Sequence, residues 1–143
     1  MEKLGKQTIK FNTPVSILSA SSIVGPKEAK GPLASYFDQC LEDEFWGEKT
    51  WEKAESKIIK EAVSTAISKS NLPVDSIDYC FSGDLLNQCI SSCFGLRDLN
   101  IPFIGIFGAC STFVEGLGIA SVFLEGGSRK SCNLQCFQSF LQC

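Results

Sequence analysis

The fold of this 143-residue chain is decided by residues 101–124, which read IPFIGIFGACSTFVEGLGIASVFL. Residues 102–107 form a nearly unbroken apolar run, which is typical of a parallel strand covered on both faces. Gly108 to Thr112 predict a turn, and residues 113–124 predict a helix that is apolar on nearly every side. Because a helix of that kind must be buried all round, the stretch predicts a strand, a turn that carries Cys110, and a central buried helix.

Alternating strand and helix patterns precede this stretch. Thr50 predicts the start of a long helix, and Asn71 and Pro73 predict its end. The apolar stripe of this helix consists of Trp51, Ala54, Ile58, Ala62 and Ala66, and it is widened by Ile59, Val63 and Ile67. Residues 77–81 predict a strand and residues 86–96 a short helix. Residues 8–18 predict an edge or bent strand, residues 19–32 a loop, and residues 33–46 a short helix. The order β-α-β-α-β-α predicts an α/β fold with a mainly parallel sheet.

The composition excludes several classes of function. The chain has no histidine, which rules out a Ser-His-Asp triad, a Cys-His dyad or a histidine metal pair within it. A net charge of −3 gives no basic surface for nucleic acid. The cysteine pairs Cys89/Cys93 and Cys132/Cys136 lack the spacing of a zinc site, and the glycines follow no phosphate-binding pattern, so we expect no metal and no cofactor.

The residues that interrupt the apolar segments predict the cellular compartment of the protein and whether it spans a membrane. Lys3, Lys6 and Lys10 break up the first twenty residues, so we expect no signal peptide and therefore free thiols in a reducing compartment. Pro102 and the glycines of residues 101–124 favour two shorter elements over one membrane span. We therefore expect no transmembrane helix.

Cys110 is the candidate reactive group. A thiol between a strand and a helix N-terminus lies where unpaired N–H groups and the helix dipole stabilise an anion, which is how a covalent nucleophile is presented. A buried structural cysteine is the alternative.

Polar residues that follow the preceding strand, Asp84 and Asn87, should meet Cys110 at one end of the sheet, because ligands bind outside the carboxyl ends of parallel strands. For Asp84, capping of the next helix is an equally good interpretation.

The motifs FGACST (residues 107–112) and SGDLLNQ (residues 82–88) resemble the stage V sporulation protein AD family, which is thiolase-like. Further resemblance lies at GKQT, GPKE, GPL, FD and WEKAE, and we expect it to cover residues 1–127. The resemblance implies the N-terminal portion of a thiolase-like fold and a possible homodimer. It also implies binding of dipicolinic acid, alone or with calcium, together with other stage V sporulation A proteins at the inner spore membrane.

The resemblance carries over to individual residues at matching positions. It implies a ligand-binding set of Gly83, Asp84, Asn87, Cys110, Ser111 and Thr112, with the N–H groups of the last three suited to a carboxylate. Asp84 has the wrong sign for a dianion and would need a cation, a proton or an indirect role. If the chain is instead an acyltransferase, Cys110 is its nucleophile. The missing histidine favours binding over catalysis.

Residues 128–143 differ from what precedes them, with three cysteines, three glutamines and no charge after Lys130. We expect this atypical tail to lie outside the native fold and the gene to be truncated or frameshifted near codon 128. Residues 1–127 would then be a partial domain that binds dipicolinate weakly or not at all by itself.

Overall fold

The computed structural model describes residues 1–127 of the chain.

Helix α1, Trp51–Ser70, forms as its sequence predicts. The Thr50 hydroxyl accepts a hydrogen bond from the Lys53 N–H at 3.4 Å, and Asn71 ends the helix in the left-handed region at φ 57°. The predicted stripe faces inward, and the side chains buried along it are Ala54, Glu55, Ile58, Ile59, Ala62, Val63, Ala66 and Ile67.

Two short parallel strands lie between the helices. Strand β5, Cys80–Ser82, pairs with β6, Phe103–Gly105, and the connecting segment contains helix α2, Ile90–Leu96. (The first four strands of the chain lie in the N-terminal segment described below.) Helix α3, Thr112–Glu125, follows β6. The chain thus runs α1-β5-α2-β6-α3, and the predicted α/β alternation is confirmed over this part.

The side chains of β5 alternate between two hydrophobic clusters. Cys80 packs with Ile59 and Val63 of α1, whereas Phe81 packs with Ala120 of α3. Because successive side chains of a strand point to opposite faces, the two-stranded sheet separates α1 and α2 from α3. The result is three layers, helix on sheet on helix.

The N-terminal segment contains two further small sheets. Strands β1, Glu2–Leu4, and β2, Thr8–Lys10, form an antiparallel hairpin, and β3, Ile23–Val24, pairs in parallel with β4, Gln39–Cys40. The predicted strand over residues 8–18 is therefore wrong beyond Lys10. Each of the three sheets has two strands, so the described residues do not form one continuous parallel sheet.

The predicted helix over residues 33–46 is also wrong. A single 3-10 turn at Ala34–Tyr36 is followed by β4 and a loop. Short polar side chains cause the difference: Asp38 accepts a hydrogen bond from the Ser22 N–H at 2.9 Å, and Asp43 accepts one from the Phe45 N–H at 2.9 Å. Such local bonds compete with helical ones.

The end of β5 meets the end of β6 and the start of α3 at Gly83. The Ile106 N–H donates to the Ser82 carbonyl at 3.0 Å. A Cβ added at Gly83 would lie 2.1 Å from the Ile106 carbonyl oxygen and 2.8 Å from Thr112 Cγ2. A side chain at this position would push the two strand ends apart, so the contact depends on glycine.

Helix α3 is not buried on every side, contrary to the prediction from its composition. Its buried residues are Thr112, Gly116 and Ala120, which form one stripe at a spacing of four. Phe113 and Val114, on the other hand, are 45% and 69% exposed. Within residues 1–127 there is too little chain to cover both faces of α3. No helix among these residues is long and apolar enough to cross a membrane.

The uncovered face of α3 can be tested by a pair of substitutions. Val114→Gln should change the free energy of unfolding by no more than about 0.5 kcal/mol, as for other exposed positions. Ala120→Gln, at a site 1% exposed, should lower it by about 2 kcal/mol or more, because a larger polar side chain must be buried. Urea denaturation of the two variants measures both values. Equal losses would show that Val114 is covered in solution.

The close approach at Gly83 gives a second test. Gly83→Ala should lower the free energy of unfolding by about 1–3 kcal/mol or more, because its Cβ collides with backbone. The matched control is Gly118→Ala in α3, where an added Cβ meets nothing within 4 Å. There the change should stabilise the chain by about 0.5–1 kcal/mol through helix propensity. A Gly83→Ala variant as stable as the original chain would contradict the described contact.

Candidate ligand site at the Cys110 turn

The turn that carries Cys110 is held by its own hydrogen bonds. Residues Ala109–Ser111 form a 3-10 turn, and the Gly108 N–H donates to Thr112 Oγ1 at 3.0 Å. The Gly108 carbonyl accepts from both the N–H and the hydroxyl of Ser111, at 2.9 and 2.7 Å. Thr112 is 2% exposed, so it anchors the turn to the protein interior.

Cys110 is exposed at this turn. The preceding residue, Ala109, has a positive φ of 49°, a conformation that costs a residue with a Cβ about 1 kcal/mol. The turn is therefore strained next to the thiol, in keeping with the strand–turn–helix geometry predicted from the sequence. The alternative of a buried structural cysteine does not describe Cys110.

Two of the three N–H groups expected to receive a carboxylate already have acceptors. The Ser111 N–H donates to the Gly108 carbonyl, and the Thr112 N–H donates to the Ala109 carbonyl. The reason is the 3-10 geometry, which uses i+3 bonds in the first turn where an α-helix leaves its N–H groups unpaired. The role of the Cys110 N–H as a donor to a ligand stays a prediction.

Asp84 caps helix α2 and faces inward. Its carboxylate is 1% exposed, with Oδ2 accepting from the Ser92 N–H at 2.9 Å and Oδ1 from the Cys89 and Asn87 N–H groups at 3.1 and 3.4 Å. This is the capping interpretation that the sequence left open. A carboxylate with both oxygens engaged and buried does not face a ligand.

The same bonds explain why α2 begins at Ile90 rather than near Leu86. They hold residues 84–89 in a loop, in which Gln88 and Cys89 have positive φ values of 49° and 74°. Asn87 points toward the start of α1, where its side-chain amide donates to Glu52 Oε1 at 3.0 Å. The structure therefore brings Gly83, Thr112 and the Cys110 turn together, and directs Asp84 and Asn87 elsewhere.

Cys89, considered from the sequence only in a pair with Cys93, is a second thiol close to the strand ends. Its Sγ donates to the Ile106 carbonyl at 3.5 Å. Burial raises the pKa of the Cys89 thiol, and the nearby Asp84 carboxylate and Cys93 raise it further. Cys89 is therefore a packing residue with little thiolate character, in contrast to a nucleophile.

The state and the burial of the cysteines can be described as far as residue 127. The cysteines in this range, Cys40, Cys80, Cys89, Cys93 and Cys110, are free thiols, and no group of three potential metal ligands occurs among the described residues. Cys80 is buried in the core, whereas Cys40 and Cys93 are exposed. Cys132, Cys136 and Cys143 lie outside the described residues.

A separate groove of about 380 Å³ lies at the opposite end of the β5–β6 sheet. Its lining residues precede the two strands and include Asp75, Asp78, Tyr79, Asn100 and Pro102. None of the predicted site residues contributes to it. Its acidic side chains alone do not define a ligand, so the Cys110 turn remains the candidate site.

Comparison with known proteins identifies the family of this chain. The sequence model of the family described as Stage V sporulation protein AD matches residues 5–139. This match continues past Gly127 and includes most of the tail that was expected to fall outside it. Stage V sporulation protein AD of Bacillus subtilis (strain 168) is 43% identical over 130 residues, which make up 91% of this chain and 38% of that relative.

The chain thus spans well under half the length of the relative that it matches. Within its own length, however, both comparisons cover nearly every residue, including the whole of the Cys110 turn and the strands that hold it. The chain belongs to the stage V sporulation protein AD family.

Proposed function

We propose that this chain contributes the Cys110 turn to a dipicolinic acid-binding protein of the stage V sporulation A machinery, which supports uptake of that compound into the developing spore. Family membership is the observation that carries the proposal. The partners would be dipicolinic acid, alone or with calcium, and other stage V sporulation A proteins. The protein would act peripherally at the inner spore membrane and as a homodimer, and its fold would be thiolase-like.

The geometry of the Cys110 turn supports a ligand site. The turn lies beyond the carboxyl ends of two parallel strands, where α/β folds bind their ligands. It is fixed by Thr112 and by the Gly83 contact, so a ligand would meet a preformed surface. Cys110 is the exposed side chain on that surface.

The described residues supply only some of the hydrogen-bond donors that dipicolinate, a flat dianion, requires. The Ser111 and Thr112 N–H groups are already bonded, and Asp84 is buried in the cap of α2. The turn therefore offers few free donors. We expect dipicolinate to bind this chain weakly by itself, and to bind more tightly when the rest of a full-length family member completes the site.

The second candidate function is acyl transfer through Cys110. It is favoured by one observation, the exposed thiol beside the strained Ala109 at the start of α3. A thiol that acts as a nucleophile also needs a base, and this chain has no histidine. Ligand binding therefore depends on fewer groups that this chain lacks than acyl transfer does.

A chimera tests both functions. The matched region of the Bacillus subtilis relative is replaced by residues 5–139 of this chain, and dipicolinate is titrated by calorimetry into the chimera, the intact relative and the 143-residue chain. The proposal predicts binding by the first two and little heat from the third. A folded chimera that fails to bind while the relative binds would contradict the role of this region.

The same chimera separates binding from acyl transfer. After incubation with an acyl-CoA, intact-mass and peptide mass spectrometry should show no added acyl group on Cys110 if the site only binds. A thioester on Cys110 that is lost in a Cys110→Ser variant would instead support the acyltransferase. Absence of dipicolinate binding by the intact relative would remove the leading function altogether.

A further inference from the structure

Glu115 lies against the turn that presents Cys110. It is the only charged residue between Ile101 and Leu124 and stands in the first turn of α3. A Cβ added at Gly108 would lie 2.4 Å from Glu115 Oε2 and 2.7 Å from its Cδ. The Glu115 carboxylate therefore lies beside the backbone of Gly108, two residues before the thiol.

No contact in residues 1–127 neutralises this carboxylate. The ion pairs of the described part join other acids, namely Asp38, Glu48, Asp98 and Glu125, and no hydrogen bond reaches the Glu115 oxygens there. The nearest helix N–H groups, those of Ser111 and Thr112, donate to carbonyls instead. Glu115 thus places an exposed negative charge where the helix dipole alone would favour an anion.

We propose that Glu115 sets the charge selectivity of the Cys110 turn, admitting neutral and cationic groups and disfavouring anionic ones. The proposal rests on the proposed function only in taking this turn as the ligand-facing surface. A carboxylic acid ligand would then approach the turn with its nearer carboxylate neutralised by a proton or a bound cation. Glu115 is a specificity-determining residue in this account, without a role in bond making.

Alkylation of Cys110 by two reagents of different charge tests the proposal on the full chain. Iodoacetamide is neutral and iodoacetate is an anion. Both react when the thiolate displaces iodide and a C–S bond forms as the C–I bond breaks. Because the same thiolate attacks both reagents, the ratio of their rates cancels any change in the pKa of the thiol. Peptide mass spectrometry measures this ratio separately at each cysteine.

Glu115→Gln should raise the iodoacetate-to-iodoacetamide rate ratio at Cys110 roughly threefold in low salt, the order of magnitude of the interaction between two unit charges separated by several ångströms of water. The ratio at the exposed thiols of Cys40 and Cys93 should not change. Glu61→Gln, which removes an exposed charge from α1, is the matched control and should leave Cys110 unaffected. An unchanged ratio at Cys110 in Glu115→Gln would overturn the proposal.

A salt series on the unsubstituted chain gives an independent reading should Glu115→Gln fold poorly. Raising the ionic strength to about 0.5 M screens the Glu115 charge, so the ratio at Cys110 should rise toward that of Cys40. A ratio at Cys110 that follows Cys40 at every salt concentration would contradict a local charge effect. Neither result depends on dipicolinate binding, so this proposal and the proposed function can fail separately.

Discussion

The contact at Gly83 is the constraint on which the rest of the candidate site depends. At this point the backbone after β5 touches the backbone after β6, and the Thr112 methyl group of α3 also packs against it. Three elements can meet so closely because no side chain intervenes. The following residue, Asp84, is thereby directed into the interior, and the chain after Ile106 is directed into the Cys110 turn. The strand ends, the Asp84 cap and the start of the Cys110 turn therefore lie around one glycine.

Two acidic residues near this contact have opposite roles. Asp84 is buried, and three backbone N–H groups stabilise its carboxylate, so its charge organises the loop before α2. Glu115 is exposed beside Gly108 and meets no cation in the described part of the chain. The exposed charge beside the Cys110 turn is therefore that of Glu115, although the sequence drew attention to Asp84.

Periodicity and capping residues were sufficient to predict the order of helices and strands from α1 to α3, but not the elements of the N-terminal segment. Thr50, Asn71 and an apolar stripe located α1 almost to the residue, and the strand–turn–helix around Cys110 followed from one apolar run and two small residues. Residues 33–46 and the start of α2 were mispredicted because carboxylates of Asp38, Asp43 and Asp84 bond to backbone N–H groups. Such bonds depend on where neighbouring segments lie, which composition does not reveal.

The chemistry of the site was predictable only in part, for the same reason. The turn at Cys110 follows from local sequence, which left the exposure of the thiol open. The use of the Ser111 and Thr112 N–H groups depends on a 3-10 rather than α-helical first turn. The packing of Glu115 on Gly108 is likewise a contact in space, between residues seven positions apart. The expectation that α3 is buried on all sides reflected its composition, and within residues 1–127 only one stripe is covered.

This chain forms an α/β unit in which Cys110 is exposed to solvent and Cys80 is buried in the core between β5 and α1. Pulsed alkylation of the native chain with iodoacetamide, followed by peptide mass spectrometry of the two cysteines, tests this arrangement. Cys110 should be labelled at least about tenfold faster than Cys80, since labelling of a buried thiol requires local opening. Equal labelling rates at the two cysteines would rule the arrangement out.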